Sequence, residues 1–306
     1  MKRCRSPPAA EPIRPLSSDL RLQLVRRIPK QTLIRAGEKD SDIYGMSYNL
    51  ARDELFLADY DNKVVRAMRM RDNASDLLDV YRAPHDTSPS IRSVCHMKDS
   101  DTLLVCSCEL GPDRKFAQWL VALSRNGSEW REVQRVQTDV DGWNCCALSD
   151  SRVLIGECSS TNLELFRVKS GPSIVRVHRI HVPETYWCFS ATCSSDTLVA
   201  MTYKDLDKWV RVHRLLGDRL EEIASIQLNC PDTLLWLADR LLIADFDRFS
   251  ESHDVIELEV SDTRLERRRE LIATSDNICV SILCSMNDGL AIFDYNARDI
   301  LHYSFV

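Results

Sequence analysis

Carboxylates recur at regular places along this chain. They stand at Asp59, Glu157, Asp245 and Asp294, and the hydroxyls of Ser107 and Thr202 complete the series. A second set, Asp42, Asp86, Asp141, Glu184, Asp232 and Asp276, precedes short apolar runs. Such side chains can cap turns, attract a basic segment, or ligate Ca2+, which takes about six to eight oxygens. Tyr44, Trp143, Tyr186 and Trp187 share the positions of the second set. Tyr and Trp are the common anchors of protein interfaces. A docking face would therefore draw on Tyr44, Asp59, Trp143, Glu157, Trp187, Asp245 and Asp294.

Nucleophilic and zinc chemistry lack their parts. There is no GxSxG elbow, and the seven His form no spaced pair with a ligand or triad signature. Of twelve Cys, most lie inside apolar runs, among them Cys95, Cys106, Cys145, Cys146, Cys188, Cys193, Cys279 and Cys284. There they read as small core residues, since no CxxC pair is followed by a second ligand pair.

The elements that must position these groups show in a repeated phrase. It returns at Leu55–Asp59, Leu103–Ser107, Val153–Glu157, Leu198–Thr202, Leu241–Asp245 and Leu290–Asp294, every 43 to 50 residues. That period fits one four-stranded propeller blade. A small, apolar run precedes each phrase, as at Ile43–Tyr48, Ile91–Met97, Gly142–Leu148, Tyr186–Cys193, Thr233–Ala238 and Asn277–Cys284. An alternating run follows it, and then a polar outer run. The sixth set ends at Val306 with three runs. Leu20–Ile28 supplies the fourth and closes the ring, with an amphipathic helix as the alternative reading of that segment. The predicted fold is all-β: a six-bladed β-propeller with four antiparallel strands per blade.

Residues 19–306 read as one propeller domain. Residues 1–18 read as a disordered, basic tail containing Pro7, Pro8, Pro12 and Pro15. Of the net charge of −6, residues 1–36 contribute nine Lys/Arg against Glu11 and Asp19, which leaves −13 on the remainder. An acidic body argues against nucleic acid as partner. No run is long and apolar enough for a membrane span, and no secretory signal is read at the start. The expectation is a reduced, soluble, monomeric protein of the cytoplasm, with a nuclear location open.

The first repeat, Gly45–Met70 (GMSYNLARDELFLADYDNKVVRAMRM), resembles a blade of the NHL/YWTD-type six-bladed propellers. Blades three and four lack the Asn-(Lys/His)-(Ile/Val) step, and no blade carries a YWTD sequence. The resemblance implies protein docking, RNA binding, or the calcium-dependent lactonase activity of the gluconolactonase group. For the last, Asn144, Asp232, Asp276 and Asn277 are the candidate ligands, although Asp42 stands where that group carries Glu. The leading reading is a noncatalytic scaffold that docks a protein, with a basic segment favoured, on an acidic, aromatic-rimmed face and without a cofactor. A calcium-dependent lactonase or esterase-like hydrolase is the alternative, and an RNA-binding propeller the third.

Overall fold

The computed structural model describes residues 21–71, 77–84, 90–110, 116–148, 151–169, 173–192, 197–203, 208–237, 240–247, 252–261, 264–272 and 278–306. Six four-stranded antiparallel sheets stand in a ring. Blade one is β2 (Ile43–Asn49), β3 (Glu54–Asp59), β4 (Val64–Arg69) and β5 (Leu78–Arg82). Blade two is β6 (Ser90–Met97), β7 (Thr102–Leu110), β8 (Phe116–Asn126) and β9 (Glu129–Thr138). Blade three is β10 (Asn144–Ala147), β11 (Arg152–Gly156), β12 (Ser160–Lys169) and β13 (Ser173–Tyr186). Blade four is β14 (Cys188–Ala191), β15 (Leu198–Tyr203), β16 (Trp209–Leu216) and β17 (Arg219–Gln227). Blade five is β18 (Pro231–Leu237), β19 (Arg240–Asp247), β20 (Ser252–Val260) and β21 (Leu265–Ile272). Blade six is β22 (Val280–Ser285), β23 (Gly289–Asp294), β24 (Asp299–Phe305) and, from the other end of the chain, β1 (Leu22–Ile28).

The repeated phrase is apolar throughout because each blade is sandwiched between two others. In blade one, Leu55 and Leu57 face the seam with blade six, while Phe56 and Ala58 face the seam with blade two. A strand buried on both faces shows a continuous apolar run rather than alternation. Every seam holds its own cluster, so the core is six thin layers arranged around an axis.

Small polar side chains fasten the inner strands across these seams. Ser47 Oγ accepts the His96 amide at 2.9 Å, and Ser93 Oγ donates to the Gly142 carbonyl at 2.6 Å. Ser190 Oγ accepts the Trp236 amide at 3.2 Å. Larger residues at these points would hold the inner strands apart.

Closure uses the N-terminal strand. β1 pairs antiparallel with β24, from Leu22 opposite Phe305 to Ile28 opposite Ile300, with a bulge between Leu24 and Arg26. Arg21 and Val306 exchange two backbone hydrogen bonds of 3.1 and 2.9 Å. The segment is a strand and not a helix. The single helix among the described residues, α1 (Lys30–Leu33), is one turn long, and no helix there could cross a membrane.

One boundary differs from the sequence reading. The inner strand of blade four starts at Cys188, and Tyr186 instead ends β13. The Tyr186 hydroxyl donates to the Asn162 carbonyl at 2.9 Å, and its ring packs edge-on against Phe189. Gly156 makes room for it, because a Cβ there would lie 2.2 Å from the tyrosine oxygen. Glu184 therefore belongs to an outer strand, where it accepts from Arg211 at 2.9 Å, and not to a channel entry.

Candidate functional site

The six inner strands enclose a central channel of about 1310 Å3. Each inner strand starts at the same end of this channel, and the loops between second and third strands open there too. The repeat thus brings Tyr44, Asp59, Trp143, Trp187, Asp245 and Asp294, among the residues singled out by the sequence, to this one end.

The fifth position of the phrase is a fastener. Asp245 accepts the backbone amides of Cys230 and Asn229 at 2.7 and 3.2 Å. Asp294 does the same for Cys279 at 3.2 Å and for Asn296 at 3.1 Å. Thr202 Oγ1 accepts the Cys188 amide at 3.1 Å. In blade one, Asp59 accepts from Ser41 Oγ, Asn62 Nδ2 and Arg66 at 2.7, 2.9 and 2.7 Å. Each ties the end of a second strand to the segment entering the first. All three aspartates are buried and so present no acidic surface. Glu157 is half-buried and close enough to Asp141 to raise its pKa.

The aromatic residues come together on one side of the mouth. Tyr44 stacks on Tyr60 with ring centroids 4.5 Å apart and on Trp143 at 5.1 Å. The Arg92 guanidinium lies 4.2 Å from the Trp143 ring centroid and 4.9 Å from that of Tyr60, a charged layer against the stack. Tyr295, which is 44 % exposed, adds a fourth ring, with Arg298 at 5.5 Å over its face. Asp42 and Asp141 border this group. Burial raises the pKa of both, against the opposing charges of Arg298 and Arg92 respectively.

Trp187 rises on the far side of the mouth. Its indole Nε1 donates to Asp232 Oδ1 at 2.8 Å. The other oxygen of Asp232 lies 3.4 Å from His253 Nε2. His253 Nδ1 accepts the Val280 amide at 3.2 Å, which places the ring hydrogen on Nε2, toward Asp232. His253 is itself buried, and its Nε2 makes no hydrogen bond.

Of the calcium candidates, Asn144 accepts from Cys188 Sγ at 3.3 Å and Asp232 is engaged as above. Asp276 and Asn277 lie outside the described residues, as do Asp86 and Cys193. Among the described residues no group of three or more His, Cys, Asp or Glu is placed to hold a metal ion. Burial raises the pKa of Cys279 and pushes that of Cys188 up to about 12, away from the reactive thiolate.

Tyr60 and Tyr295 were not singled out by the sequence reading, yet a signal for them exists. Both stand one residue after the repeated phrase, and Tyr203 and Phe246 hold the same place in blades four and five. Arg92 has no comparable sequence signal.

No family model matches the chain, and no curated protein matches it either. Solved structures do. A crystallised glucose dehydrogenase superposes with a TM-score of 0.63 at 8% identity, covering 92% of this chain and 98% of its own. A chain of the Mitotic Checkpoint Complex gives 0.58 at 10% identity, covering 99% and 97%. Virginiamycin B lyase from Staphylococcus aureus gives 0.53 at 8% identity, covering 94% and 100%. At such identities the likeness is one of fold.

Proposed function

We propose that this propeller is a noncatalytic docking platform whose aromatic mouth receives an extended segment of a partner protein. The observation that carries the reading is the Tyr60–Tyr44–Trp143 stack at the open end of the channel, which Tyr295 also lines. Aromatic rings held rigidly by one another lose little entropy on binding and supply large contact area. The carboxylates Asp42, Asp61, Asp141 and Glu157 outnumber Arg92 and Arg298 there, which favours a segment carrying Lys or Arg. The raised thiol pKa values of Cys188 and Cys279 favour docking over nucleophilic chemistry. Similar folds serve both ends: one neighbour sits in a protein complex, while others are a dehydrogenase and a lyase.

The test is selection of displayed random decapeptides on the full chain, followed by affinity measurement against Tyr44→Ala/Trp143→Ala. Peptides enriched in Lys or Arg that lose about tenfold or more in affinity, roughly one hot spot, support the reading. Peptides indifferent to the double substitution overturn it. Tight, salt-sensitive binding of a single-stranded RNA to the same rings would replace it with the nucleic-acid reading.

A further inference from the structure

The opposite end of the channel is of another character. There the ends of the inner strands bring Tyr48, Leu50, Ala147, Ala191, Leu237 and Met286 to line the channel, with His96, Lys98 and Asn287 as polar residues among them. Leu50 is 46 % exposed. The cavity does not stop at the inner strands, because it continues across blade six as far as Phe305. Phe305 is the register partner of Leu22, so the groove leads to the point where residues 1–20 join the fold.

The direction of β1 matters here. Because Leu22 pairs with Phe305 and Ile28 with Ile300, the strand runs from the apolar end toward the aromatic mouth. Whatever precedes Leu22 is therefore delivered to the apolar end. Six residues reach at most roughly 20 Å, whereas the three strand spacings between β1 and β22 amount to about 14 Å. Leu16 can thus reach the channel from Leu22 without any change in the blades.

Composition supplies the fit. Pro12-Ile13-Arg14-Pro15-Leu16 favours polyproline II, where residues three apart share an edge. Ile13 and Leu16 are three apart, as are Pro12 and Pro15. Grooves lined by aromatic side chains are a standard receptor for such segments. Tyr48 and Phe305 are the aromatic side chains that line this end of the cavity, together with Leu50 and Met286. Tethering a few residues away gives an effective concentration on the order of millimolar, so even a weak contact is populated.

We propose that residues 12–16 of this chain fold back over blade six and occupy the apolar end of its own channel, with Ile13 and Leu16 inserted beside Leu50 and Met286. The aromatic mouth then remains the open one. The proposal concerns the other end of the channel and stands apart from the docking reading.

The experiment uses the full chain with Leu16→p-benzoylphenylalanine and maps the photo-crosslinks by mass spectrometry. Crosslinks within one chain to the peptides holding Leu50, Met286 or Phe305, reduced at least about fivefold by Leu50→Glu, are the expected result. Leu50 is exposed enough for that substitution to leave folding intact, which near-UV circular dichroism verifies. In parallel, Ile13→Asp/Leu16→Asp should raise binding of an apolar fluorescent dye, and Leu50→Glu should reverse that rise. Crosslinks only between chains would assign the groove to a second copy and overturn the proposal. Crosslinks scattered over the surface, or dye binding equal in all variants, would overturn it as well.

Discussion

Arg66 and Asp59 form a 2.7 Å ion pair from which water is excluded, their side chains being 1% and 0% exposed. The same guanidinium donates to the Leu33 carbonyl at 2.7 Å and meets Glu38. Arg66 thus clamps the segment after α1 onto blade one, and Asp59 is the counter-charge that makes the clamp possible. Asp59 looks like a surface carboxylate in the sequence; in the fold it holds the arginine in place.

Removing one member of a buried pair leaves the other uncompensated, which costs about 3–5 kcal/mol. Asp59→Ala should therefore lower the urea midpoint strongly, and Arg66→Met should do the same. The double substitution should recover part of the loss, because neither member of the fully buried pair is then left facing an empty place, and Glu38 and Asp79, which also lose Arg66, keep Arg82. A loss below about 1 kcal/mol for Asp59→Ala would return this residue to the list of surface carboxylates.

The ring closes through β1, and Ile28 is its deepest residue, packed with Leu33, Phe293 and Ile300. Truncation of such a side chain costs about 2–5 kcal/mol. Ile28→Ala should destabilise the whole propeller in one cooperative transition, whereas Val25→Ala, at the exposed bulge, should change little. Cooperative loss of all blades in circular dichroism is the expected signature. A biphasic melt would show that blade six opens without the rest.

The period of the phrase was enough to read blade number, strand order and closure, because sandwiched strands impose continuous apolar runs that no half-exposed strand needs. Site detail was harder. Tyr186 and Trp187 are adjacent aromatics, yet one ends an outer strand in the core and the other stands at the mouth. Only the space left by Gly156 decides between them. Likewise, an aspartate at a strand end looks the same in sequence whether it faces solvent or accepts two backbone amides, as Asp245 does. Tyr60 and Tyr295 were hidden for another reason: an aromatic follows four of the six phrases, which looks like blade packing until Tyr44 stacks on Tyr60 and Trp143 on Tyr44.

His213 makes stability depend on pH. It is buried between strands of blade four, its Nδ1 has no hydrogen-bond partner, and burial pulls its pKa down to about 4. The backbone hydrogen bond to Val199 only partly opposes this. In the unfolded chain the imidazole titrates near pH 6.5, so between pH 6.5 and about 4 the unfolded state takes up a proton that the folded state refuses. The contribution is complete above pH 6.5 and is lost as pH falls, by about 3 kcal/mol in total. His213→Gln, which keeps a donor without titrating, should flatten the urea midpoint across that window relative to the parent chain. An unchanged slope would place the acid sensitivity elsewhere.

Calcium separates the docking reading from its hydrolase alternative. A cation bound only by the folded chain stabilises it by RT ln(1 + [L]/Kd), or about 2.7 kcal/mol at one hundred times Kd. Asn144 and Asp232, the described members of the candidate ligand set, are already engaged by Cys188 and Trp187. Ligation would share these side-chain oxygens with a cation, which weakens them as acceptors and so perturbs the indole of Trp187. Docking without a metal predicts equal, small shifts in Tm with millimolar Ca2+ and Mg2+, and no change in tryptophan emission. A Ca2+-specific rise of several degrees, accompanied by altered emission and abolished by Asp232→Asn, would move the function of this mouth to calcium-dependent hydrolysis. The emission change, absent from Trp187→Phe, is needed because it follows the Trp187–Asp232 contact, which a cation bound elsewhere on an acidic surface would leave intact.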